Sequence, residues 1–179
     1  MIRLFTALSI PEDVAETLAA RQTGLPGARW RTAEQLHVTL AFYGEIDERR
    51  ADDLALELER AQAGGPFEIE LAGVGAFGDA QRSHTLWAGV APCERLNVLA
   101  ARCKAAAERA GVTMEKRTYH PHVTLAYLNS QTDQARLGAW VTQNNLLHSP
   151  PIRIDQFGLY SSTLKSDGSL YQLEQVYRL

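Results

Sequence analysis

No apolar run in the 179-residue chain exceeds strand length, so no stretch of it is long enough to cross a bilayer as a helix. The opening stretch, MIRLFTALSIPEDVAE, lacks the long apolar core of a secretion signal and passes at once into acidic residues and a helix-like pattern. The expectation is a cytoplasmic protein without membrane association. Cysteine is scarce: Cys93 and Cys103 stand ten apart within one helical-looking segment, a spacing that fits neither a redox C-x-x-C nor a zinc pair, and both read as core or surface thiols. Neither sign of charge dominates. Lys and Arg number 18 against 21 Asp and Glu, a net charge of −3, so contact with a nucleic acid needs a local cluster of cations and suits a small or terminal target better than a long duplex. Missing too is any Pro/Ser-rich linker; QAGGP (62–66) and HSPP (148–151) read as turns. The composition is otherwise that of a globular protein, 45% hydrophobic and 22% charged, in a length that suits one domain or two small fused lobes.

What the chain does have is a repeat. HVTLA occurs at 37–41 and again at 122–126, and the same offset of 85 residues sets Arg31 on Lys116, Phe42 on Tyr127, Asp47 on Thr132, Pro66 on Pro151, Ile69 on Ile154, Glu70 on Asp155 and Gly73 on Gly158. From average residue usage, one such pentapeptide pair arises by chance in about one chain in a hundred of this length, before the matching flanks are considered.

Each half parses alike. HVTLAFY has strand length and β-branched and aromatic content, with Gly44 as its end; Asp47 then caps a helix whose Ala51, Leu54, Ala55 and Leu58 recur at helical spacing. In the second half Thr132 is the matching cap, ahead of Leu137 and Val141. Alternating segments follow, FEIELAGVGAF from Phe67 and IRIDQFGLY from Ile152, and a further strand closes each half, at 85–90 and 171–179. Two more helices are expected, one starting near Pro11 and one from about Cys93 to Ala110, with Leu96, Leu99, Ala100, Cys103 and Ala107 on one face. The pattern predicts an α+β protein, one bilobal domain over 1–179. Its two pseudo-two-fold-related lobes of mixed or antiparallel sheet carry outer helices and enclose a central cleft.

Along a strand, His37 and Thr39 share one face and Val38 and Leu40 the other; His122 and Thr124 stand likewise against Val123 and Leu125. Each copy thus anchors itself with aliphatic residues and presents an imidazole beside a hydroxyl. Two lobes meeting about a pseudo-two-fold axis would aim both pairs at one small object. An imidazole, with an unperturbed pKa of about 6.5, serves as base or as acid near neutrality, so two of them on opposite sides of a phosphorus centre can deprotonate an attacking oxygen and protonate a departing one. The threonine hydroxyls would hold the non-bridging oxygens. No metal is required. His120 and His122 in HPH could chelate one together, yet Gln35 occupies the place of His120 in the first copy and no acidic or thiol ligand is close in sequence. Arg31 and Lys116 precede the motifs by six residues, with Arg29 and Arg117 beside them, as contacts to a phosphate backbone or simply as solvated cations. Trp30, Phe42, Tyr119 and Tyr127 could stack on a base or pack in the core, and Trp87 is expected in the core.

These residues resemble the 2H phosphoesterases, and within them the bacterial and archaeal RNA 2′,3′-cyclic phosphodiesterases, also called 2′-5′ RNA ligase-like proteins. The likeness runs nearly the length of the chain, through RLFTALSIPEDV, LHVTLAFYGEI, LAGVGAFG, LWAGV and YHPHVTLAY. It implies metal- and cofactor-free hydrolysis of a terminal 2′,3′-cyclic phosphate on RNA or oligonucleotide ends, releasing a 2′-phosphate. By the same resemblance His37 is the proton donor to the leaving 3′ oxygen, His122 is the acceptor that activates water, and Thr39 and Thr124 hold the phosphate. Which histidine gives and which takes rests on analogy alone. Many relatives carry an arginine directly after the second TLA; here that residue is Tyr127, and Arg117 or Arg82 is the candidate replacement. Phe42, Tyr119, Tyr127 and Arg117 complete the substrate-binding set. Two further functions share the same groups: a non-catalytic RNA-end or nucleotide binder, and 2′-5′ joining of RNA ends or hydrolysis of another cyclic phosphate nucleotide. A monomer with no obligate protein partner is expected.

Overall fold

A computed structural model describes the chain except residues 63, 79–82, 116 and 166–167, and of Ser83 and Lys165 the backbone only; Arg82 and Lys116 therefore lie outside the described residues. In chain order the elements are β1 (Ile2–Ser9), α1 (Glu12–Ala19), β2 (Ala28–Trp30), a 3-10 turn (Ala33–Gln35), β3 (His37–Ile46), α2 (Glu48–Leu58), a second 3-10 turn (Glu59–Gln62), β4 (Phe67–Ile69), β5 (Leu71–Gly78), β6 (Ser83–Val90), α3 (Glu94–Arg109), β7 (His122–Leu128), α4 (Gln134–Asn144), β8 (Ile152–Ile154), β9 (Gln156–Lys165) and β10 (Gly168–Arg178). The class is α+β, as expected.

Antiparallel pairing builds one eight-stranded sheet in the order β10-β9-β1-β3-β7-β6-β5, with β2 alongside β7. Its halves meet where Val38 of β3 pairs with Val123 of β7, both fully buried. Helices α2 and α3 cover the β1–β3 half, and α4 lies by β5. The halves interlock, because α3 follows β6 of one half but packs on β3 of the other, and β9 leaves the second half to pair with β1. A small separate sheet of β4 and β8 ties the two together. The core is aliphatic, with Leu4, Leu8, Leu54, Leu58, Leu96 and Leu125 at 2% exposure or less; burying each contributes roughly 2 kcal/mol. Cys103 is part of this core, and burial pushes its thiol up to about 12, while Cys93 is half-buried and free.

Several expectations need correction. The first H-x-T strand does not stop at Gly44. It continues to Ile46, with Gly44 at φ +72° where Phe5 and Leu4 pair with Phe42 and Gly44 and skip Tyr43. Thr132 does not cap α4. Asp133 does, accepting from the backbone N–H of Ala135 at 2.8 Å and of Arg136 at 3.0 Å, just as Asp47 accepts from Arg50 at 3.0 Å in α2. A carboxylate was available one residue on, and the Thr132 side chain is instead buried against Gly27. The alternating segments each break in two, because their first three residues pair with one another, Phe67 with Ile154 and Ile69 with Ile152, away from the main sheet. The strand at 85–90 does not close the first half: β6 pairs with β7 as β1 pairs with β3, and β10 lies at the outer edge beside β9.

Candidate active site

The two H-x-T copies occupy the central strands and share one irregularity that simple alternation misses. Along β1, Thr6 pairs with Ala41 and Ala7 with Thr39, leaving Leu40 unmatched; along β6, Leu86 pairs with Ala126 and Trp87 with Thr124, leaving Leu125 unmatched. Each bulge buries two successive residues, Leu40 with Ala41 and Leu125 with Ala126, at 6% exposure or less. It also re-phases the strand so that Phe42 and Tyr127 return to the face of the histidines, 46% and 40% exposed. The aromatic residues are thus not core. Extending the Val38–Val123 register by one residue each way sets Thr39 across from His122 and His37 across from Thr124. Two imidazoles and two hydroxyls converge on one face, and neither threonine hydroxyl bonds to a described residue.

Both rings are held alike. His37 Nδ1 lies 2.7 Å from the carbonyl of Gln35, and His122 Nδ1 lies 2.7 Å from the carbonyl of His120. A carbonyl only accepts, so Nδ1 carries the hydrogen in each ring and Nε2 is left with its lone pair. The surroundings differ. His37 packs against Phe5 at 5.2 Å and edge-on to Tyr171 at 5.3 Å, and burial pulls its pKa down to about 4, with the charges of Arg31 and His122 adding to the fall and the Gln35 carbonyl opposing it. His122 stands edge-on to Phe77 at 4.9 Å and 6.4 Å from Trp87; burial lowers its pKa too, helped by the neighbouring His120. Both are neutral near pH 7 in the ligand-free protein.

Sequence reading missed three of these residues. Phe5, Phe77 and Tyr171 touch a histidine ring although none is near either motif in the chain, and only knowledge of the strand pairing would have found them. Trp87 is not a core residue. It is half-buried on the site face, its ring lying over Gly75, and its Nε1 is buried with no acceptor among the described residues. Trp30 is half-buried against Trp140, with ring centroids 5.9 Å apart.

The other candidates divide. Tyr119 spends its hydroxyl on the Thr39 carbonyl at 3.1 Å, bracing the strand from behind the motif. Arg117 is not brought to the site; it is exposed and pairs with Glu115 at 2.7 Å. Among the described residues the cations that gather are Arg29 and Arg31, whose guanidinium carbons lie 5.6 and 5.3 Å from the Tyr127 ring centre, and Arg3, 4.9 Å from that of Phe42. Among the described residues no three His, Cys, Asp or Glu side chains gather as a metal set would require. Neither the hollow of about 400 Å³ between Gly64, Arg95 and Leu179 nor that of about 510 Å³ beside Trp140 is lined by either histidine or either motif threonine. No helix among the described residues is long and apolar enough to cross a membrane.

Known proteins resemble the chain in sequence and in fold. The RNA 2′,3′-cyclic phosphodiesterase of Thermotoga maritima is 29% identical over 179 aligned residues, 96% of this chain and 92% of that protein. Its namesake from Escherichia coli is 34% identical over 127, 69% of this chain and 70% of that one. Among solved structures, TT0787 of Thermus thermophilus superposes with a TM-score of 0.82 at 26% identity, covering 99% of this chain and 98% of its own. E. coli LigT complexed with 3′-AMP gives 0.77 at 25%, with the same coverage. The profile of the 2′-5′ RNA ligase superfamily matches residues 10–165, a span that takes in both H-x-T strands and six of the eight strands of their sheet, and the chain belongs to that superfamily.

Proposed function

We propose that the chain, acting as one bilobal unit over 1–179, hydrolyses the 2′,3′-cyclic phosphate at an RNA or oligonucleotide end to a 2′-phosphomonoester, using two histidines and no metal. The names of its relatives support the reaction. The mechanism is carried by one observation: two Nδ1–H imidazoles with free Nε2 atoms beside two unengaged threonine hydroxyls on paired strands. Water attacks phosphorus as one Nε2 takes its proton; the P–O3′ bond breaks as the other imidazolium gives its proton to O3′. Thr39 and Thr124 hold the non-bridging oxygens, and Phe42 and Tyr127 offer their exposed faces to a base.

Resemblance makes His37 the donor. Its pKa of about 4 means that it acquires its proton only once an anionic phosphate is bound, which offsets both burial and the Arg31 charge. His122, less depressed, would then have to stay neutral as the base.

The test is product analysis on an oligonucleotide ending in a 2′,3′-cyclic phosphate, with EDTA present, for the wild type, His37→Ala and His122→Ala. A 2′-phosphate product that both variants largely abolish is expected. Loss of activity on chelation would overturn the metal-free mechanism, and binding without cleavage would make the protein an RNA-end binder.

A further inference from the structure

We infer that Arg31 is the phosphate-binding cation of this site, standing in for the arginine that the resemblance places where this chain has Tyr127. The inference rests on the phosphodiester reading above and names a residue that neither H-x-T motif contains.

Arg31 is 4% exposed, an unusual place for a guanidinium, and no carboxylate pairs with it among the described residues. Its Nη2 donates to the Tyr171 hydroxyl at 3.0 Å, and its charge lies over two ring faces, Tyr127 at 5.3 Å and Tyr171 at 5.5 Å. One hydroxyl and two π-faces offset only part of the cost of drawing a guanidinium out of water; its other N–H donors have no acceptor among the described residues and, not being fully buried, keep some contact with solvent through which an anion can reach them. A buried cation in that state is matched to an anion that arrives later.

The neighbours say where the anion sits. Tyr171, which Arg31 grips, is edge-on to His37, and Tyr127 lies on the histidine face just beyond Thr124. The Arg31 charge is felt at His37, lowering its pKa, so the guanidinium is within electrostatic reach of the reacting group. Strand β2 feeds Arg31 in from the β7 side, its N–H bonded to the Leu125 carbonyl at 2.8 Å, while Tyr171 comes from β10 of the other half. An arginine at position 127 would crowd a third cation against Arg31 and Arg29; a tyrosine there supplies a ring for both. The cation here enters beside β7, from the residue that follows β2, and not from β7 itself.

The ligand class is the non-bridging oxygens of a terminal phosphate. The experiment measures binding of inorganic phosphate and of a nucleoside 2′-monophosphate by calorimetry, and cyclic-phosphate turnover, for the wild type, Arg31→Met, Arg31→Lys and the exchange Arg31→Met/Tyr127→Arg. Loss of a charge-assisted contact predicts affinity about ten- to a hundred-fold weaker in Arg31→Met. Partial retention is expected in Arg31→Lys and recovery in the exchange, and the His37 titration should move upward once the neighbouring charge is gone. A folded Arg31→Met that binds phosphate as tightly as the wild type overturns the inference; if that variant does not fold, failure of Arg31→Lys to weaken binding does so. Arg31-dependent binding in a wild type that cleaves nothing would uphold this inference and refute the proposed reaction.

Discussion

Titrating His37 tests the electrostatics of the site without substrate. Burial against Phe5 and Tyr171 and the Arg31 charge bring its pKa from 6.5 to about 4; at 1.36 kcal/mol per unit that makes protonation in the fold about 3 kcal/mol harder than in the unfolded chain. Because the folded value is the lower one, the unfolded chain takes up the proton first as pH falls. The penalty is nil above pH 6.5, grows progressively from 6.5 down to about 4, and stays at its full size below that. His37→Asn, which has no such titration, should therefore gain about 3 kcal/mol relative to the wild type between pH 7.5 and pH 4 in denaturant unfolding, the other histidines being common to both. In two-dimensional ¹H–¹⁵N spectra the neutral ring should show hydrogen on Nδ1, held by the Gln35 carbonyl, and inorganic phosphate should raise the midpoint. A midpoint near 6.5 in the free protein, or an Nε2–H tautomer, would refute the reasoning.

Thr39→Ala and Thr124→Ala should each slow cyclic-phosphate turnover less than loss of a histidine does, by roughly ten- to a hundred-fold for one lost hydrogen bond to a charged oxygen, measured in single-turnover assays; no change in either would remove that hydroxyl from the site. Gly75→Val should destabilise by about 1–3 kcal/mol in denaturant melts, since a Cβ there would run into the Trp87 ring, and the displaced ring should shift the His122 titration. Asp133→Ala should cost about 1 kcal/mol through its lost cap, whereas Thr132→Val should be neutral or stabilising because the Thr132 hydroxyl is buried without a partner among the described residues. Equal losses at both positions would show that Thr132 shares the capping.

The parts of this structure that were legible in the sequence are those set by local periodicity. Ala51, Leu54, Ala55 and Leu58 announce α2, and H-x-T alternation places imidazole and hydroxyl together, because both patterns are written within a few residues. What depends on a partner strand was not legible. The bulges at Leu40 and Leu125 are mismatches in count against β1 and β6, and they decide that Phe42 and Tyr127 face the site. Trp87 looks like a core residue until β6 is known to pair with β7 and β5, which turns it toward His122 over a glycine. The burial of Arg31 depends on Tyr171, 140 residues away. The misplaced cap at Thr132 has a different origin. The offset of 85 holds for the starts of β3 and β7, β4 and β8, and β5 and β9, but the helix after β7 starts one residue later than its counterpart, and a threonine followed by an aspartate offers two capping side chains to choose from.

The same comparison of the two copies bears on which histidine gives a proton. The backbone treats them identically: same bulge, same tautomer, same 2.7 Å bond to the carbonyl two residues back. A reaction that needs one base and one acid must draw its asymmetry from what surrounds the strands. Around His37 that is a closed wall, Phe5 and Tyr171, with a buried cation behind it; around His122 it is the part-exposed Phe77 and the exposed His120. Without ligand, the second environment accepts a proton more readily than the first. A phosphate held by Thr39 and Thr124 against Arg31 would raise the pKa of both imidazoles by its own charge, and would act further on His37 by offsetting the Arg31 charge that adds to burial there. On the proposed mechanism, the direction of proton transfer would then be set by where the phosphate's negative charge rests, nearer the Arg31 side or the His120 side, with the two strands supplying matched proton carriers on which that placement acts.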